Sequence, residues 1–472
     1  MAVTYYDLAI IGSGSGNSLI TPYWDNRKVA LIDGGTFGGT CLNVGCIPTK
    51  MFVYPSELAA SAGQAGRLGV DLSLDRVHWQ QMRDRIFGRI DAISEAGRRY
   101  RDVELDNVTL YQDYARFTGP KTLLTAAGET VEAGQIVIAA GSRAALPQVP
   151  GIGLPQVHTS DTVMRLAELP ERVLVVGGGF VAAEFAAMFS GLGARVTQVN
   201  RSAPLLKSED ALVSERFSEA AARSWDVRLG WNLAGIEEHG GGVRALFDTA
   251  QGAAAGSVEA DIVLVAIGRV PNTDTLDPAA AGFDLEPDGR LAVDGYQRVL
   301  SDSRPVDGVW ALGDISNRFQ LKHVANHEAR VVAHNLEHPE DLRASDHRFV
   351  PSAVFTRPQI ASVGLTEQAA RADAAARGVD IATAVQDYGS TAYGWAMEDT
   401  EGFVKLVAEK ASGRLLGAHI MGHEAATLIQ PLIQAMAFGL DVRSMARGQY
   451  WIHPALTEVV ENALLSLDVE AP

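Results

Sequence analysis

An α/β fold, with two Rossmann-like dinucleotide-binding domains followed by a C-terminal α+β domain, is predicted by three features of the 472-residue sequence. An apolar run, Tyr6 to Ile11, empties into a glycine-rich turn, Gly12-Ser13-Gly14-Ser15-Gly16. The same design returns at Arg172 to Val176 followed by Gly177-Gly178-Gly179. From about residue 345 the pattern changes to short strands between turns, ending in apolar helical segments. A chain of this length divides into about three domains, each able to bury its own core.

The first module reads as strand, turn, a helical start over Ser18 to Tyr23, and a second buried strand, Val29 to Ile32, closed by Asp33. Glycines at 12, 14 and 16 let the backbone turn tightly and approach a pyrophosphate. The helix N-terminus favours the anion. Asp33, 21 residues after Gly12, is placed to accept from ribose hydroxyls. Asn17 stands where a third glycine is usual, which loosens helix-to-strand packing there.

In the second module Ala182 fills the small-residue slot after Gly177 and Gly179. The next strand, Arg195 to Val199, ends in Asn200-Arg201 with Lys207 further on. An acid at that end would repel a ribose phosphate; a neutral residue followed by cations accepts one. The pattern therefore favours NADPH over NADH, although Arg201 and Lys207 also fit solvated surface cations.

Each module closes on a similar strand, Gln135 to Ala140 running into Gly141 and Ile262 to Ile267 running into Gly268-Arg269. Val309 to Leu312 adds a buried strand with Asp314 at its C-terminal end, where ligands of parallel sheets lie. The first domain is thus interrupted by the second. Residues 1–152 and 272–344 form the first domain, 153–271 the second and 345–472 an interface domain, with linkers at Pro147 to Gly153 and Pro271 to Thr273. In the last domain strands are expected at Ser352 to Phe355, Gln359 to Val363, Gly402 to Val407 and Leu415 to Met421. Leu428, Ile429, Leu432, Ile433 and Met436 then repeat at helical spacing, with a kink at Pro431.

The chain has two cysteines, Cys41 and Cys46, in Gly38-Gly39-Thr40-Cys41-Leu42-Asn43-Val44-Gly45-Cys46 just beyond the first fingerprint. So short a disulfide loop stabilises a long chain little. A structural zinc needs four ligands, and no second pair accompanies this one. Redox exchange is the better use. Exchange also needs a group that titrates near neutrality, and His453 is the candidate among 11 histidines. Pro454 forces it out of helical geometry, and Glu458 is placed to hold its tautomer. The His453-Pro454 bond is conjectured to be cis.

These features together resemble the pyridine nucleotide-disulfide oxidoreductases over the whole chain. The resemblance implies an NADPH-dependent flavoprotein that reduces a small disulfide. It implies FAD with its pyrophosphate over Gly12 to Gly16, adenine near Ala115, ribityl chain near Asp314, and flavin lined by Gly39, Thr40, Lys50 and Ala325. Lys50 and Glu184 match an ion pair beside the flavin, and Arg201, Lys207 and Arg269 would contact NADPH. Cys46 would lie nearer the flavin, with Cys41 as the outward thiolate that attacks substrate. The histidine would come from a second subunit of an obligate homodimer. His323 either tunes the flavin or packs; Trp395, Tyr450 and Trp451 line a pocket or a core.

A net charge of -17 argues against nucleic acid and gives no special attraction for membranes. Apolar runs break before spanning length, as at Glu184. The N-terminus lacks a secretory pattern, so a cytoplasmic enzyme is expected.

Overall fold

The computed structural model describes residues 3–470, in which two compact units separate. Residues 3–51, 80–145 and 268–347 form one; 52–79, 146–267 and 348–470 form the other. The expected fold class is the one observed.

The first unit is built on a sheet ordered Arg298–Ser301, Arg304–Ala311, Thr130–Ile138, Val3–Ile11, Val29–Ile32, Val108–Tyr111. All neighbours but the first pair run parallel, and Ile11 pairs with both Ile32 and Ile138. The strand ends are therefore level, so Gly12, Asp33 and Asp314 all follow the same edge. Both faces are covered. Leu8, Ile10, Leu31 and Val137 pack with Trp24, Phe37 and Val332, while Ala9, Ile11, Ile32 and Ile136 pack with Phe117 and Phe283.

One local expectation fails here. Instead of a helix over Ser18 to Tyr23, the chain makes two 3-10 turns, Gly16–Leu19 and Pro22–Trp24. Pro22 has no N–H to continue a helix and steers Thr21 into extended geometry, φ −93° and ψ 170°. Arg101 secures the turn from outside, its Nε donating to Asn17 Oδ1 at 2.8 Å.

The second unit holds a parallel sheet ordered Asp226–Leu229, Arg195–Asn200, Arg172–Val176, Ile262–Val265, Val157–His158. Helix Phe180–Gly191 follows the second fingerprint. A three-stranded antiparallel sheet runs from Trp231 to Ala260. The C-terminal region forms a five-stranded antiparallel sheet ordered Pro351–Val354, Gln359–Gly364, Leu415–Gly422, Phe403–Glu409, Ile381–Asp387. Its last strand was not anticipated, because Ala382, Thr383 and Ala384 give it few large apolar side chains. Pro431 does not kink one helix but helps begin another: Ala425–Leu428 ends, and Gln430–Phe438 starts with the proline in its first turn, where the missing N–H costs nothing.

A buried charge cluster crosses this unit. The Lys405 ammonium, 7% exposed, meets Asp210 at 2.8 Å and Glu367 at 2.7 Å, and Asp210 is 1% exposed. Asp210 also caps helix Ala211–Ser224 through Leu212 N and accepts from Glu367 N at 2.9 Å. Burial alone would raise the Asp210 carboxyl, but the Lys405 and backbone hydrogen bonds outweigh it and hold it below the usual carboxylate range. A depressed folded-state value gives stability that is present above the unfolded value and lost as pH falls through the folded one. Lys405→Met strips the buried Asp210 of its ion pair, while Glu367 keeps Arg371, and should cost about 3–5 kcal/mol in urea unfolding at pH 7. Its deficit should shrink on acidification; a change under about 0.5 kcal/mol would show the cluster to be inert.

Candidate active site

The cysteine segment is folded back onto the first fingerprint. Gly38 and Gly39 take positive φ, +100° and +71°. A Cβ on Gly39 would lie 2.7 Å from the Gly14 Cα, so only glycine permits this approach. The buried Asn43 amide donates to Phe37 O at 2.9 Å and Gly39 O at 3.0 Å, tying the segment from within. Cys41 lies in the short helix Gly39–Asn43, and Cys46 opens helix Cys46–Ala65, whose N-terminal dipole favours a thiolate.

Both cysteines are thiols in this structure, Cys41 half-buried and Cys46 exposed. The Cys41 hydrogen bond with Cys46, then burial, push the Cys41 thiol far above its ordinary value, and Lys322 pulls the other way. Cys41 thus keeps its proton until a base takes it.

The surroundings fit an FAD pyrophosphate and ribose. Gly12, at φ +103°, sits where a Cβ would be 2.3 Å from Ala139 O, and one on Gly16 would be 2.8 Å from Ile10. Asp33 accepts from Ser13 N at 2.7 Å, Ser13 Oγ at 2.5 Å and Gly35 N at 2.8 Å, and keeps lone pairs for a sugar. Ser13 Oγ in turn accepts from Gly38 N at 2.8 Å, joining fingerprint, acid and cysteine segment. Gly141 has φ +67°, Ala115 is buried at the start of its strand, and Gly313 packs on Ala325. Thr40 is exposed and Lys50 half-buried on the Cys46 helix.

Arg269 is engaged within this first unit. It donates to Ser142 Oγ at 2.7 Å and Ser142 O at 2.6 Å, and lies 3.8 Å from Asp314, which accepts from Ser142 Oγ at 2.6 Å. Its guanidinium therefore braces the expected ribityl-binding acid.

The second fingerprint repeats the first. Gly177, at φ +141°, stands where a Cβ would be 2.1 Å from Ala266 O, and Ala182 is fully buried. The Asn200 amide lies over Gly178, 2.3 Å from its missing Cβ, and donates to Ser202 O at 2.7 Å. Gly179 caps helix Phe180–Gly191 with no side chain, leaving its N–H groups for an anion. Arg201 and Lys207 are exposed. Glu184, 5% exposed, accepts from Phe355 N at 2.9 Å.

His453 and Glu458 are brought together: Nδ1 and Oε1 are 2.7 Å apart, and Ala455 N donates to Oε2 at 3.3 Å. The His453-Pro454 bond is cis. The histidine side chain is 70% exposed, while Glu458 is shielded in the first turn of helix Thr457–Leu465. The imidazole thus presents its other nitrogen outward. Tyr450 and Ile452 beside it are also exposed, as is Trp395, whereas Trp451 donates to Ala446 O at 3.0 Å and packs on the core. His323 is exposed.

Residues 6–329 match the pyridine nucleotide-disulphide oxidoreductase model, and residues 350–464 match the dimerisation domain of that family. The chain belongs to the pyridine nucleotide-disulphide oxidoreductases. It is 53% identical to a mycothione reductase of Mycobacterium tuberculosis, covering 98% of this chain and 99% of that one. A glutathione reductase of Burkholderia cepacia is 33% identical, over 96% and 97%. The HOCl-induced flavoprotein disulfide reductase RclA from Escherichia coli superposes with a TM-score of 0.83 at 25% identity, covering 98% of this chain and all of that one. This pyridine nucleotide-disulphide oxidoreductase is accordingly an NAD(P)H-dependent flavoprotein disulfide reductase using FAD. It carries the family's dimerisation domain. Among the described residues no helix is long and apolar enough to cross a membrane, and no group of three or more metal-ligating side chains occurs.

Three residues escaped the sequence reading. Ser13 and Asn43 carry hydrogen bonds that fix the cysteine segment. Lys322 donates to Ser15 Oγ at 2.8 Å across 307 residues of sequence, a meeting that no local pattern signals.

Proposed function

We propose that this protein reduces mycothiol disulfide (mycothione) with NADPH, using Cys41 and Cys46 as its exchange pair. The observation that carries the reading is the contact of the chain's two cysteines on the cradle of the first fingerprint. The 53% identity to a mycothione reductase supports the substrate, and Asn200-Arg201 with Lys207 supports NADPH.

In this reading the Cys41 sulfur attacks one sulfur of the substrate, forming a mixed disulfide and expelling a thiolate. The imidazolium of the partner subunit's His453 protonates that leaving group, and Glu458 holds the ring for the transfer. Cys46 then attacks the Cys41 sulfur, closing the internal disulfide and releasing the second thiol. FAD, held by Gly12 to Gly16, Asp33, Gly39, Thr40, Ala115, Gly141, Asp314 and Ala325, would supply the electron pair that reopens the disulfide, taken as hydride from NADPH. Lys50 and Glu184 keep the roles the family resemblance gives them. A pair that must cycle between dithiol and disulfide suits an intracellular compartment, so a cytoplasmic homodimer with shared sites is part of the proposal.

The test is oxidation of NADPH or NADH by the FAD-loaded protein with mycothiol disulfide and glutathione disulfide supplied separately. Turnover selective for NADPH and mycothiol disulfide is expected. Turnover of glutathione disulfide alone would overturn the substrate and keep the mechanism.

A further inference from the structure

Glu328 places a carboxyl group in the middle of an apolar face. It lies in helix Lys322–Glu337 with Val324, Ala325, Val331 and Val332 buried on either side of it, and is itself fully buried. A carboxylate taken out of water is costly unless donors meet it, and apolar side chains at such positions often fold as well or better. Three donors converge on this one: Gly313 N at 2.7 Å and Asn317 Nδ2 at 2.8 Å on Oε2, and His347 Nε2 at 2.9 Å on Oε1. All belong to the first unit. Packing does not call for this acid, so its use lies in what it holds.

What it holds is the turn that presents Asp314. Gly313, at φ +79°, begins the 3-10 turn Gly313–Ile315, and the first N–H of such a turn has no partner within it. Ser316 N and Asn317 N close on Gly313 O at 2.9 and 3.0 Å, so Gly313 and Asn317 are the two ends of one loop around Asp314. Both ends donate to a single Glu328 oxygen. The Asp314 carboxylate is held separately, Oδ2 accepting from Ser142 Oγ at 2.6 Å, with lone pairs left for a further hydroxyl. The helix that carries Glu328 also carries Ala325, and a Cβ on Gly313 would lie 3.4 Å from the Ala325 Cβ. One buried acid thus locks together the segments that carry Asp314 and Ala325.

We propose that Glu328 is a positioning residue for FAD: by gripping Gly313 N and the Asn317 amide it fixes the direction of the Asp314 carboxylate, and His347 completes the acid's hydrogen bonds. The inference rests on Asp314 being an FAD-binding residue. It deepens that reading by adding a residue that acts through Asp314.

The test is the Kd for FAD of the holoenzyme, measured as the rise in flavin fluorescence on dilution. Glu328→Ala should raise it by about 10–100-fold, the loss expected when hydrogen bonds to a buried acid go. Glu328→Gln should stay within about threefold of the parent, since its amide oxygen still accepts from Gly313 and Asn317 and its amide nitrogen faces the imidazole. A merely structural residue would weaken FAD binding independently of Asp314, whereas one acting through Asp314 adds nothing once that carboxylate is gone. In an Asp314→Ala background Glu328→Ala should therefore change Kd by less than about twofold. A parental Kd in Glu328→Ala, its full loss repeated in the double variant, or a Glu328→Gln as weak as Glu328→Ala would each overturn the proposal. Should Glu328→Ala not fold, Asn317→Ala takes its place in both backgrounds, with a rise of about threefold or more expected, and a parental Kd overturns the proposal equally. Failure of the underlying reading looks different: Asp314→Ala would itself bind FAD as the parent does.

Discussion

Cys41→Ser is expected to lower disulfide turnover by about 10⁴-fold or more, while oxidation of NADPH by ferricyanide stays within about twofold of the parent. A serine hydroxyl does not ionise near neutrality, and a disulfide sulfur yields to a thiolate. The second activity needs neither cysteine. Cys46→Ser should fail differently, because Cys41 still attacks but nothing resolves the product. It should accumulate one substrate half per chain as a mixed disulfide, visible as added mass that dithiothreitol removes. The two thiols are held differently. Cys41 is held in a segment clamped by Asn43 and Ser13, whereas Cys46 begins a 20-residue helix. Disulfide turnover within tenfold of the parent in Cys41→Ser would remove the exchange pair from the mechanism.

What could be read in advance follows from how far apart the interacting residues lie in sequence. The two fingerprints are local: glycine spacing, the strand before and the strand after lie within about 35 residues, and the geometry at Gly12 and Gly177 is that expected of them. The backing carbonyls of Ala139 and Ala266 are distant, yet they come from strands recognisable by their own apolar runs. His453 and Glu458 were legible because five residues separate them and a proline fixes the bend. Local rules failed where one residue overrode a periodic pattern: Pro22 turned the expected first helix into 3-10 turns, and Pro431 began a helix instead of kinking one. They also missed long-range polar contacts. Lys322 meets Ser15, and Lys405 meets Asp210 across 195 residues, through tertiary placement that charge patterning does not encode. Arg269 shows the same limit, since its bond to Ser142 near Asp314 follows from the pairing of strands Arg269–Pro271 and Ser142–Ala144.

His453→Ala is expected to reduce kcat for disulfide reduction by about 10²–10⁴-fold. Glu458→Gln should lose less, since an amide oxygen still accepts from Nδ1 at the 2.7 Å position but no longer balances the imidazolium charge. On a single chain the ring is 70% exposed with Tyr450 and Ile452 exposed beside it, which suits a group that works against another copy. Complementation decides the point. Co-expressed Cys41→Ser and His453→Ala chains, each inactive alone, form mixed dimers in which a site shared across a two-fold axis pairs an intact cysteine segment with an intact histidine. Half of the randomly assembled dimers are mixed and each restores one of two sites, so about a quarter of the parental activity should return. If each chain completes its own site, mixing restores nothing, and the base for Cys41 has to be sought within the chain.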